Sequence, residues 1–332
     1  MENKNDRKGA IKKLKLLTYA SKINVDWFRS KMEDGFKTVF LPNGVERTEY
    51  KYGNVTCDIL APEIYASNRV MLYIHGSSFV GGSRRTYASF CASLATKCFC
   101  RVVVPEYRLA PEHPYPAANE DIQNVFKSLF TEEQIACSLN ADNGENPQLP
   151  EIIIAADSSA ASIACSLVFN LRERYRACIK QILLFSPWLD VSNCSRLVMT
   201  KKISDEIMSG DIVRKSTALY ADEANALTPL VSPLLAGDEV LQNFPPVFIQ
   251  MGEKEILLDD AKEFAKNLRD AGNKCELDIW PEMMFMFQMA DDYLHESHLA
   301  LDKVGKVVTD GTEEKTAIQI QNKPKLERSI VF

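Results

Sequence analysis

Short unbroken apolar runs alternate along the chain with longer stretches in which apolar residues recur at helical spacing. The runs fall at Val70–Ile74, Arg101–Val104, Glu151–Ala155, Gln181–Phe185 and Val247–Gln250. Runs of this length without polar alternation mark parallel strands covered on both faces, because every side chain meets protein whichever way it points. Between them, Thr86–Lys97, Ala117–Phe130, Ser159–Arg174 and Asp259–Ala271 read as helices, the last closing on Gly272, a residue suited to the left-handed position after a helix end. The alternation predicts an α/β fold with a mostly parallel central sheet flanked by helices. Upstream, Glu46–Leu60 alternates enough for an antiparallel hairpin turning near Gly53, and Thr131–Pro150, rich in Asn, Glu and Gly, reads as a surface loop.

Two parts break the rhythm: an amphipathic N-terminal segment up to about Phe36, and Asn193–Leu227, which has helical character but interrupts the strand order. Such pieces usually lie over the C-terminal edge of an open α/β sheet, where ligands bind. The predicted division is an N-terminal cap segment over 1–45, a core over 46–192 and 228–308, inserted cap helices over 193–227 and a polar tail over 309–332.

Composition narrows the function classes. Of 332 residues, 46% are apolar and 25% charged, the makeup of a globular protein with one large core. The net charge is −6 and the cations are scattered, which argues against nucleic acid as a partner. No apolar run approaches the length of a membrane span, so no stable membrane insertion is expected. The charged opening segment lacks the apolar stretch of a secretory signal, so the chain reads as cytoplasmic. Nine cysteines without CxxC spacing, several inside apolar stretches (Cys91, Cys165, Cys178), read as reduced and buried.

The chemistry sits at the strand ends. After the run ending at Ile74 comes His75-Gly-Ser-Ser-Phe-Val-Gly-Gly82, a small-residue turn whose amides can face a cleft. After the run ending at Ala155 comes Ala156-Asp-Ser-Ser-Ala160, leading straight into a helix. Strand, tight turn with a serine at its apex, then helix is the geometry of a nucleophile elbow, which places the Ser158 hydroxyl at a helix N-terminus. A second reading of Ser158 is a small polar residue capping that helix.

These stretches, with Glu106-Tyr-Arg-Leu-Ala-Pro-Glu-His-Pro-Tyr-Pro-Ala-Ala118, Ser186-Pro-Trp-Leu-Asp190, Phe244-Pro-Pro-Val-Phe-Ile-Gln-Met-Gly252 and Trp280-Pro281 in this order, resemble the hormone-sensitive-lipase-like branch of the α/β-hydrolases over roughly residues 45 to 305. The resemblance implies the α/β-hydrolase fold with a helical cap. It also implies a serine carboxylesterase acting on small or medium acyl esters, needing no metal or other cofactor. Its partner would be a small-molecule ester or an apolar ligand, and a homodimer is left open. Site residues carry over as nucleophile Ser158 and acid Glu255. The oxyanion hole comes from Ser77 and Ser78, on the turn that opens with His75 and Gly76, together with Ser159 of the elbow.

The histidine does not carry over. Counted from Trp280-Pro281 in the family's W-P-G-M-x-H-x-F-like turn, its position holds Phe285, and a phenyl ring can neither accept a proton nor donate a hydrogen bond. Loss of a triad histidine costs as much as about 10⁶ in turnover in the subtilisin series. The remaining departures are Ser77 and Ser78 for two glycines of the oxyanion turn, with hydroxymethyl groups expected in the space for the substrate oxygen, and Ala156 and Ala160 for the glycines framing the elbow. The four histidines are His75, His113, His295 and His298. The first two read as loop-holding groups, the last two as a solvated helix face. Glu255, without an imidazole to orient, is expected to bond loop amides or to reach Ser158 through water. Met283, Met284, Phe285, Met286, Phe287 and Met289 read first as core packing and second as the wall of an apolar cleft. Activity is accordingly expected to be weak or absent, the alternative being a pseudohydrolase that binds an apolar or carboxylate ligand in the old cleft.

Overall fold

A computed structural model describes residues 4–19, 24–66, 68–139, 149–192 and 205–309. Eight strands form one sheet: β1 (Val45–Tyr52), β2 (Val55–Pro62), β3 (Arg69–Ile74), β4 (Arg101–Pro105), β5 (Glu151–Asp157), β6 (Ile179–Phe185), β7 (Val247–Gly252) and β8 (Cys275–Trp280), in the order β1-β2-β4-β3-β5-β6-β7-β8. The β1/β2 and β2/β4 pairs are antiparallel and the rest parallel. The helices are α1 (Lys4–Leu14), α2 (Val25–Gly35), α3 (Ala88–Lys97), α4 (Ala117–Leu139), α5 (Ala160–Asn170), α6 (Glu173–Arg176), α7 (Gly210–Tyr220), α8 (Glu223–Ala226), α9 (Asp238–Leu241), α10 (Leu258–Asp270) and α11 (His295–Thr309). The central strands β3 and β5 are buried along almost their whole length, as their continuous apolar runs require.

The hairpin turns at Gly53, whose φ of 62° is left-handed, and α10 closes on Gly272 at φ 85°. Three expectations are corrected. Helix α4 runs on to Leu139 through half of the stretch read as a loop. Its inward face there carries Glu133, which accepts from Arg101 Nη2 at 2.6 Å, and Cys137, so an ion pair and a thiol hid the helical pattern. The stretch Ser159–Arg174 is not one helix. Leu171 and Arg172 are extended, and Arg176 caps the carbonyls of Phe169 and Leu171 from the next turn. Strand β8 was absent from the expected set because Cys-Glu-Leu-Asp-Ile-Trp interleaves charges, as befits an edge strand with one partner.

Of the expected cap helices, α7 and α8 lie in 205–227, while 193–204 fall outside the described residues, as do 140–148 of the expected loop and the tail beyond Thr309. No helix among the described residues is long and apolar enough to cross a membrane.

Candidate active site

Ser158 stands between β5 and α5 at φ 49°, a left-handed conformation that costs a non-glycine residue about 1–2 kcal/mol. Neighbouring strands hold it there. Its amide donates to Phe185 O at 3.0 Å, and its carbonyl accepts from Trp188 N at 2.9 Å and Ala161 N at 3.2 Å. The framing alanines, 156 and 160, are fully buried, and neither has a positive φ, which is why the turn forms without glycine. The capping reading of Ser158 is overturned: the N-cap of α5 is Ser159, and no side chain caps it. Ser159 Oγ instead accepts from Phe79 N at 3.0 Å.

Facing the elbow is the His75–Gly82 turn. A Cβ on Gly76 would come within 2.8 Å of Ser158 Cβ and would strike the Asp157 carboxylate, so only glycine lets the two loops meet. Ser77, Ser78 and Phe79 stand at φ 93°, 60° and 66°, three consecutive left-handed residues whose strain sums to about 3–6 kcal/mol at the usual 1–2 kcal/mol each. Among the described residues nothing accepts a hydrogen bond from the amides of Ser77, Ser78 or Ser159. The two serine hydroxyls are engaged by neighbouring protein groups. Ser77 Oγ lies 3.2 Å from Tyr87 Oη and 3.7 Å from Met32 Sδ, and Ser78 Oγ accepts from Tyr19 N at 3.1 Å.

Asp157 anchors this half of the site and was missed from sequence, although a carboxylate ending an apolar run was a legible signal. Its Oδ1 accepts from Tyr73 Oη and Gly76 N, both at 2.8 Å, and Oδ2 from Tyr87 Oη at 3.0 Å. Burial raises its pKa to about 7 even against these donors.

The other half is arranged differently. Glu255 follows β7 and is buried. Its Oε1 accepts from Ser186 Oγ at 2.9 Å and from the Gly252 amide, while Oε2 is buried with no partner among the described residues. Of its expected contacts the loop amide is present, and Ser186 is a partner that sequence reasoning missed. Burial pushes this carboxyl well above the ordinary range. Ser186, itself left-handed at φ 45°, also accepts from Met286 N at 3.0 Å, so one hydroxyl ties the acid to the loop where a histidine would stand. In that loop Phe285 is fully buried, and Met283, Met284, Met286, Phe287 and Met289 are buried with it in the main core. The cluster is packing.

No histidine among the described residues hydrogen-bonds Ser158. His75 is sandwiched between Tyr107 and Tyr87, at ring-centroid distances of 4.5 and 5.3 Å. Its Nδ1 lies 3.2 Å from Gly76 O, and its Nε2 is buried without a partner. Burial lowers its pKa to about 4, so it is neutral. His113, His295 and His298 are exposed. Ser158 itself is only 3% exposed. A cavity of about 460 Å³, lined by Arg29, Met32, Glu106, Tyr107, Glu112 and His113 among others, lies by the oxyanion turn, and neither Ser158 nor Phe285 lines it.

A mostly parallel sheet carrying a strained serine at one strand end and an amide-lined turn at the next defines the α/β-hydrolase class. A family model described as alpha/beta hydrolase fold matches residues 71–289, and the chain belongs to that family, on its hormone-sensitive-lipase-like branch. It is 30% identical over 245 residues to an esterase of Acinetobacter venetianus, covering 74% of this chain and 76% of that protein. It is 27% identical over 262 residues to an acetyl-hydrolase of Streptomyces hygroscopicus, covering 79% and 82%. Among solved structures it resembles an esterase from the bacterial hormone-sensitive lipase family with a TM-score of 0.80 at 26% identity, covering 93% of this chain and 99% of that one. These relatives make the chain an esterase-like hydrolase by descent.

Proposed function

We propose that this protein is a serine carboxylic-ester hydrolase by ancestry, acting through Ser158 on small or medium acyl esters, whose turnover is weak or absent. The observation that carries the reading is the fully buried Phe285 at the histidine position, with the acid that would orient an imidazole already engaged by Ser186 and Gly252. In an active triad the base takes the serine proton as the hydroxyl attacks, and the acid steadies the resulting imidazolium. Here, among the described residues, no histidine hydrogen-bonds Ser158 to take its proton. Glu255, with an orphaned oxygen in an apolar setting, favours holding a proton of its own.

A second reading is favoured by what is kept. Among the described residues the amides of Ser77, Ser78 and Ser159 have no acceptor, the chemistry that holds a carboxylate or an ester carbonyl. A non-catalytic pseudohydrolase binding a small carboxylate or apolar ligand in the old cleft uses those amides without Phe285 mattering. The test is hydrolysis of p-nitrophenyl butyrate by wild type beside Ser158→Ala. A wild-type rate equal to or barely above that of Ser158→Ala supports the impaired reading, and a wild-type rate about 10²-fold or more above that of Ser158→Ala overturns it. Titration with butyrate, followed by a shift in Tm, then separates the binder from an empty site.

A further inference from the structure

The N-terminal segment does more than cover the site, for it grips the oxyanion turn almost residue by residue. Met32 meets Ser77 Oγ, Tyr19 N donates to Ser78 Oγ, and Arg29 Nε donates to Val80 O at 2.8 Å. Phe28 and Met32 fill the space where a side chain on Gly81 would stand. Glu33 Oε1 accepts from Ser83 Oγ at 2.5 Å and from Thr86 Oγ1 at 3.1 Å. Two of these grips, at Ser77 and Ser78, use hydroxyls that a glycine turn would lack.

Arg29 is the centre of the arrangement. Beyond Val80 O, its Nη2 donates to Ala110 O at 2.9 Å, and Ala110 N in turn donates to Phe79 O at 3.2 Å. The guanidinium thus closes a ring of hydrogen bonds around Phe79, the last left-handed non-glycine residue of the turn. Glu112 fixes the guanidinium from its other side, with contacts of 3.0 Å to Nη1 and 2.7 Å to Nη2. A planar fork can serve two carbonyls and a carboxylate at once, which a lysine ammonium cannot do in the same geometry.

Three consecutive left-handed non-glycine residues persist only where their surroundings over-determine them. We propose that Arg29, seconded by Tyr19 and Met32, is a positioning residue that holds the serine-substituted turn in the left-handed conformation its free amides require. The brace is read from contacts alone. Its bearing on ligand or ester chemistry rests on the function proposed above, so it is tested by a measurement blind to that chemistry.

The test is hydrogen exchange, read by mass spectrometry, of the peptide spanning residues 75–83 in the full chain. The Arg29→Ala substitution is compared in two backgrounds, wild type and Ser77→Gly/Ser78→Gly. In wild type it is expected to speed exchange of the turn by about tenfold or more, leaving β5 unchanged, as local opening without global unfolding does. In the glycine background, where two of the three left-handed positions become glycine and only Phe79 keeps its strain, the same substitution is expected to change exchange by less than about threefold. Equal acceleration in both backgrounds, the result of packing alone, overturns the proposal, as does an unchanged turn in wild type. Should Arg29→Ala fail to fold, Arg29→Lys keeps the charge and loses the fork. It is expected to reproduce the background dependence, and wild-type protection in that variant overturns the proposal equally.

Discussion

The elbow at Ser158 and the loop at Phe285 are the two halves of one candidate site, joined through Phe185 and Ser186, yet the chain treats them in opposite ways. At the elbow, left-handed conformations are kept at Ser158 and through Ser77–Phe79, and the surrounding amides, tyrosines and Asp157 are arranged to hold them. At the loop, the place of the imidazole is given to a phenyl ring at full burial, and the acid is turned to Ser186 and its own backbone. One half still carries strain that only ligand or transition-state binding would use, while the other has become ordinary core. On the proposed reading, the difference teaches that a triad need not decay evenly. Positions set by backbone geometry are locked in by neighbouring strands, whereas a side chain on a loop is exchanged for packing in a single step.

Restoring the lost half is the strongest way to break the contrast. Phe285→His with Ser77→Gly and Ser78→Gly is expected to raise p-nitrophenyl butyrate hydrolysis about 10²-fold or more over wild type, the range a positioned base supplies. No gain would mean the elbow is no more intact than the loop. Removing the packing instead, Phe285→Ala should lower unfolding free energy by about 3–5 kcal/mol in urea titration, and a loss under about 1 kcal/mol would deny that the ring is core. Glu255→Gln probes the orphaned acid. Burial raises its folded pKa above the unfolded value near about 4.3, so above that value the native state keeps a proton the unfolded chain has shed. Stability contributed by Glu255 therefore falls as pH rises through that window. The variant should flatten this slope in unfolding measurements above about pH 4.3, and an unchanged slope would locate the charge elsewhere. The smallest effect is expected at Ser158→Gly, which relieves the left-handed backbone and should stabilise the chain by about 1 kcal/mol.

Much of this was legible in sequence because burial on both faces leaves a plain signature. The runs at Val70, Glu151 and Val247 became β3, β5 and β7, and the serine at the end of one of them became the elbow. What escaped was written in polar residues acting over long separations. Strand β8 hides behind the charges of an edge position. Ser186 earns its place through Glu255, 69 positions away, and the grip of Arg29 on Val80 spans 51. Neither has a local period to read. The engagement of the Ser77 and Ser78 hydroxyls escaped for the same reason: their partners lie in helices and segments that only the fold brings near.

The most direct test of the central claim is covalent labelling of Ser158 by a fluorophosphonate at neutral pH, since phosphonylation needs a serine that can give up its proton. The account predicts no modification at Ser158 in wild type by intact-mass analysis, and stoichiometric modification once Phe285→His is combined with the two glycine substitutions. Rapid, complete labelling of wild-type Ser158, abolished in Ser158→Ala, would contradict it.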